Sequence, residues 1–241
     1  MRKLFALSLG DLKNISRDGI LLISVFTPFI LGIAMRFGLP FVREVLLAEL
    51  SFDLSHYYSL VMSVLILITP MMMGMMSGFL ILDERDENIL IFYSVTPLSK
   101  SGYLLYRAVT PTVISFLMSF FVFYFIGIVE YRLELLIPVL LLCSLESPMM
   151  ALFLAVFASN KVEGLALSKA FGILFLAPIA GYFIKSDWQY MAGAAPTFWV
   201  SKSLLAGIEA GSGYWTFVIA GAVVHLLIIG LLMRRFDNIY I

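Results

Sequence analysis

The sequence predicts an all-α, polytopic membrane protein with six transmembrane helices, and three observations predict it. Sixty-one per cent of the 241 residues are hydrophobic and 13% are charged, where a soluble domain carries about 25% charged residues. The apolar residues gather into six runs near the ~20 residues a helix needs to cross a bilayer. No run alternates with period two, so a β-barrel is not expected. Helices follow, because every backbone N–H and C=O in lipid needs a partner within its own segment.

Residues 1–18 form the first element. At 100° per residue Leu4, Phe5, Leu9, Leu12 and Ile15 share one face, and Lys3, Lys13 and Arg17 the other. Such a helix lies in the membrane interface. It is not a cleavable leader, because its apolar stretch stops at Asp11 without a small-residue cleavage site. The spans are then expected at 19–35, 57–82, 108–129, 135–158, 165–184 and 214–233. The fifth is marginal in length unless it starts early. Between spans five and six, residues 187–213 hold Trp188, Tyr190, Pro196, Phe198 and Trp199. Aromatic rings with polar tips collect at interfaces, and this stretch reads as outer interfacial or re-entrant helices. The whole chain, 1–241, reads as one transmembrane domain.

With the N-terminus inside, 11 Lys/Arg lie on the cytoplasmic side and five outside. That excess places both termini in the cytoplasm of a multi-pass protein of the plasma membrane. The formal net charge is zero and Cys143 is the single cysteine. These facts exclude a soluble enzyme, a disordered chain, a nucleic-acid binder and an internal disulfide. The sequence has no GxxxxGK[ST], HExxH or GxSxG motif. No catalytic or metal-ligating set is therefore expected, and no cofactor in this chain.

The connection after span two is the most informative segment. Asp83, Glu84, Arg85, Asp86 and Glu87 make five consecutive charges, followed by an apolar stretch, 89–93, and then Thr96-Pro97-Leu98-Ser99. Proline pushes the residue before it out of the α region and ends the helix. A short charged helix with an apolar flank, held between two spans, suits docking on a cytosolic partner. A solvated loop of stop-transfer charges is the blander reading.

In this register the segment resembles the cytoplasmic loop of type-2 ATP-binding-cassette exporter permeases, E-R-E-x-G-T-L-E-x-L-L-x-T-P-[LV]-S. Glu84, Arg85, Leu90, Thr96, Pro97, Leu98 and Ser99 match without a gap, with Asp86 in place of glutamate. Asn88, Ile89 and Ile91 depart from the pattern. The resemblance implies a cytoplasmic coupling helix between spans two and three, seated on a separate cytosolic ATPase. Its contacts would come from Glu84, Arg85, Asp86, Glu87, Leu90, Thr96 and Pro97. ATP and Mg would sit on that partner, and a second permease subunit, identical or closely related, would complete the pathway.

Inside the spans, Glu146 stands two residues before Pro148. A mid-helix carboxylate costs about 2.5–3.5 kcal/mol on insertion and needs protein or a wet cavity beside it. It reads either as a group on the transport path or as a structural hydrogen bonder. Its expected partners are His225 in span six and Thr112, Ser115 and Ser119 in span three. Gly74 and Gly78 permit close helix approach. Met72 and Met76 beside them suit either a hydrophobic path or packing. The expected function is the permease half of an ATP-driven exporter. The alternative is an ATP-independent transporter that uses Glu146 as a proton or cation site.

Overall fold

The computed structural model describes residues 2–87, 89, 99–209, 211 and 213–240. Among them there is no strand, and six helices or helix pairs have the length and composition to cross a membrane. Helix α1, Arg2–Arg17, meets α2, Gly19–Leu50, at a sharp corner. Asp18 makes that corner by accepting the N–H groups of Ile20 and Leu21 at 2.8 and 3.2 Å, a side-chain N-cap. α3 is Tyr58–Asp86, entered through a 3-10 turn at Leu54–Tyr57, and α4 is Ser99–Ile126.

Three boundaries differ from the sequence expectation. α2 runs to Leu50 rather than ending at residue 35. Charges stop a membrane span but not a helix, so Arg36, Arg43 and Glu44 continue it beyond the apolar part. Arg36 donates to the Phe125 carbonyl at the end of α4, and Arg43 grips Asp53 at 2.8 and 3.2 Å. Span four is two helices, α5 (Leu133–Ser144) and α6 (Glu146–Phe157), broken at Leu145. Pro148 has no N–H for the Ser144 carbonyl, and the ladder fails there. Span five begins at Lys161, as α7 (Lys161–Ala170), a 3-10 stretch and α8 (Leu176–Phe183). Asn160 accepts Glu163 N–H at 3.0 Å while Glu163 accepts Ser159 N–H at 2.7 Å. The Asn160 N-cap, with Glu163 folded back on Ser159 N–H, starts the helix earlier than residue 165.

Spans two and four form the interior, and the other four keep most of their apolar surface outward. Gly74 and Gly78 of α3 set the central contact. A methyl at Gly74 would stand 2.7 Å from Met150 Cβ, and one at Gly78 would stand 2.8 Å from Leu154 Cδ1. Only glycine lets α3 and α6 come so near. A further helix, α9 (Pro196–Ile208), turns back into the bundle. Its Val200 and Leu204 are fully buried with Met62, Ile66, Leu136 and Leu140. The stretch expected to hold outer interfacial or re-entrant helices thus packs α9 into the core, while Trp188 and Tyr190 before it stay exposed. α10, Tyr214–Tyr240, closes the bundle.

Three span prolines share one device. Each lacks the N–H that would bond the carbonyl four residues back. Pro70 frees Ile66 O, which accepts Cys143 Sγ–H from α5 at 3.4 Å. Pro111 frees Arg107 O, which accepts the Ser77 hydroxyl of α3 at 3.1 Å. Pro178 frees Leu174 O, which accepts the Thr197 hydroxyl of α9 at 2.7 Å. Kinks thereby become cross-links between neighbouring helices.

Candidate functional site

The segment expected to dock a partner leaves α3 at Asp86 and returns at α4. Leu90, Thr96 and Pro97 lie outside the described residues. The charges at its base are described, and three successive ones hold three different parts of the bundle. Asp83 accepts Lys161 Nζ at 2.7 Å, and the same ammonium reaches Asp18 at 2.6 Å. This fastens α3 to α7 and to the α1–α2 corner. Burial works against the Asp18 carboxylate. The bond from Lys161 and the N–H groups of Leu21 and Ile20 outweigh it and hold its pKa below the usual value.

Glu84 is only 7% exposed. It accepts Tyr103 Oη–H and the Arg107 guanidinium, both from the start of α4. Arg107, 3% exposed, also donates to Asp11 of α1 at 2.9 Å, where Tyr106 donates at 2.7 Å. One guanidinium thus ties α1 to both flanks of the segment. Arg85 donates to the Ala158 and Ala155 carbonyls at 2.5 and 3.4 Å. A cation on the unpaired carbonyls of a helix C-terminus is favourably placed. Asp86 and Glu87 are exposed.

Of the expected contact residues Glu84 to Glu87, Glu84 and Arg85 each hold a partner in the bundle, and Asp86 and Glu87 are exposed. Arg107, Asp11, Tyr103 and Lys161 were not among the expected site residues. A cation in the first turns of a span needs a carboxylate nearby, and that was the available signal for Arg107.

Deep in the bundle, Glu146 and His225 meet. His225 Nε2 stands 3.3 Å from Glu146 Oε1, and Nδ1 stands 2.7 Å from Gly221 O. They are 1% and 0% exposed. The other expected partners are not bonded to Glu146. Ser115 donates to Thr112 O within its own helix at 3.0 Å. Ser119 Oγ, like Glu146 Oε2, is buried with no hydrogen-bond partner. Met72 is partly buried against Leu21 and Met73 in a core shared by α2, α3 and α6. Met76 lines a cavity of about 220 Å³ between α1, α3 and α4, with Asp11, Leu12, Ser77, Arg107 and Ile114. Among the described residues no group of three His, Cys, Asp or Glu could hold a metal ion.

Residues 11–233 match a family model described as Fluoroquinolones export permease protein Rv2686c-like. Two curated relatives come from Mycobacterium tuberculosis, strains CDC 1551 / Oshkosh and ATCC 25618 / H37Rv. They are the Fluoroquinolones export permease proteins MT2760 and Rv2686c. Each is 32% identical over 238 residues, spanning 98% of this chain and 94% of the relative. No solved structure matches the chain.

Proposed function

Because the chain belongs to the Rv2686c-like family of fluoroquinolones export permeases, we propose that it is the membrane-spanning permease subunit of an ATP-driven exporter of the type-2 ATP-binding-cassette class. The chain forms half of the translocation pathway. A second permease subunit, identical or related, supplies the other half, and separate cytosolic ATPase subunits bind ATP and Mg. Both termini and the segment after α3 face the cytoplasm. Fluoroquinolones, named for the relatives, are the first cargo to test.

The observation that carries this reading is the base of the segment between α3 and α4. Asp83, Glu84 and Arg85 brace it against α7, α4 and α6. A push on the segment therefore reaches several helices at once, which a loosely held loop would not achieve. ATP binding on the partner would then bias the spans between two arrangements.

The test is co-purification and ATP-dependent transport with candidate ATPases, comparing wild type with Asp86→Lys plus Glu87→Lys. Those exposed side chains alter the docking face without touching the braces. Loss of ATPase binding with an unchanged melting temperature is expected, and undiminished binding refutes the assignment. A second reading, a proton-coupled transporter without an ATPase, would require the proton between Glu146 and His225 to move. Transport driven by a proton gradient with no nucleotide would support it.

A further inference from the structure

The buried histidine on α10 allows its protons to be counted. A carbonyl oxygen only accepts, so the 2.7 Å contact with Gly221 O fixes a proton on His225 Nδ1. Nε2 then carries either a lone pair or a second proton, and it faces Glu146 Oε1 at 3.3 Å. A bare Nε2 facing a carboxylate sets two acceptors against each other. A protonated Nε2 facing a carboxylic O–H sets two donors against each other. The contact holds only with one proton between the two atoms, on nitrogen or on oxygen. With Glu146 Oε2, which has no hydrogen-bond partner, left unprotonated, either placement gives the pair no net charge, the condition a group 0–1% exposed in the bundle needs.

Among the described residues no second charge stands beside the pair to alter this count. Cys143 is the titratable neighbour, and its thiol already donates to Ile66 O. In α3, α4, α5 and α10 the Asp, Glu, Lys and Arg residues lie towards the helix ends. Lys202 of α9 is turned to Phe198 and Gly181.

We propose that Glu146 and His225 share one proton as a net-neutral strut, and that this proton stays in place during transport. Glu146 is the first residue of α6, immediately after the break at Leu145. α6 is locked to α3 through Gly74 and Gly78. The strut therefore fixes the α3–α6 pair against α10, and both residues are positioning residues.

The full-length protein in nanodiscs tests this with Glu146→Gln and Glu146→Ala. The glutamine carboxamide offers an uncharged N–H to Nε2, so Glu146→Gln should keep the wild-type melting temperature. Transport should stay within about twofold, with the same pH profile as the wild type. Glu146→Ala strips the imidazole of its partner and should lower the melting temperature by about 2–4 °C. Nitrogen-15 NMR of His225 should show a protonated Nδ1 in both the wild type and Glu146→Gln. A folded Glu146→Gln protein that does not transport, or whose pH profile shifts, overturns the proposal, because the proton then moves in the cycle. Destabilisation by Glu146→Gln as large as by Glu146→Ala also overturns it. The thermal and NMR readouts involve no ATPase, so they stand apart from the exporter assignment.

Discussion

Replacing Ser77 by alanine should destabilise the protein only while Pro111 is present. The Ser77 hydroxyl donates to Arg107 O at 3.1 Å, and Ser77 is 2% exposed. In a regular helix that carbonyl would accept the N–H of residue 111, which proline does not have. Ser77→Ala leaves the carbonyl without its side-chain donor from α3. An interhelical hydrogen bond in a membrane contributes about 0.6 kcal/mol, up to about 1.7. At roughly 2–4 °C per kcal/mol for a chain of this size, the melting temperature should fall by about 1–7 °C. Pro111→Ala restores the missing N–H, so in that background Ser77→Ala should have almost no effect. The assay is a double-mutant cycle on thermal unfolding at one fixed heating rate in one detergent. It compares wild type, both single variants and the double variant. A coupling below about 0.3 kcal/mol, the error expected for independent sites, would refute the claim that the serine answers the proline. The same cycle can be built on Pro178 with Thr197→Val.

Gly74→Ala should force α3 and α6 apart, since the new methyl would stand 2.7 Å from Met150 Cβ. A loss of about 1–3 kcal/mol is expected by thermal unfolding. Arg85→Ala removes the donor to the Ala155 and Ala158 carbonyls and should cost about 1 kcal/mol, with hydrogen exchange rising at the end of α6 and the start of α7. The Asp18 carboxyl is held below its ordinary 3.8. Its contribution is therefore present above about pH 4 and lost as pH falls through the folded value. Melting temperature measured from about pH 6 to pH 3 should drop less steeply for Asp18→Asn than for wild type.

What the sequence made legible was governed by local chemistry. The six spans follow from apolar run length, and the Gly74–Gly78 approach from two small residues one helical turn apart. The Glu146–His225 contact was also readable. A carboxylate in a span needs a partner, and His225 is the ionisable side chain that the other spans offer at mid-depth. Non-local partners were beyond reach. Ser77 finds a carbonyl 30 residues away, and Cys143 one 77 residues away. The sequence shows a proline that frees a carbonyl but not the helix that will answer it. The extension of α2 beyond residue 35 was not legible, because a charge marks where lipid ends, while helix propensity runs on. The division among the charges after α3 was illegible for a related reason. A run of acids and bases looks uniformly solvated until the helix is built and its faces are assigned.

That division governs how coupling can be tested. Asp83, Glu84 and Arg85 are consecutive, so about 100° separates each from the next around the helix, and each meets a different neighbour. Removing Glu84 leaves the guanidinium of Arg107, 3% exposed, with one partner fewer, and breaking a buried pair from one side costs about 3–5 kcal/mol. A Glu84→Ala protein that fails to transport would thus fail by misfolding as readily as by uncoupling. Glu84→Gln keeps one acceptor oxygen for Arg107 and turns its amide N–H to the Tyr103 hydroxyl oxygen, and so separates the two outcomes. If force reaches the spans through this base, Glu84→Gln should keep ATPase binding while lowering transport per ATP hydrolysed. Asp86→Lys plus Glu87→Lys should instead lower binding itself. The two variants fail at different steps only if docking and transmission belong to different residues of the same charged run.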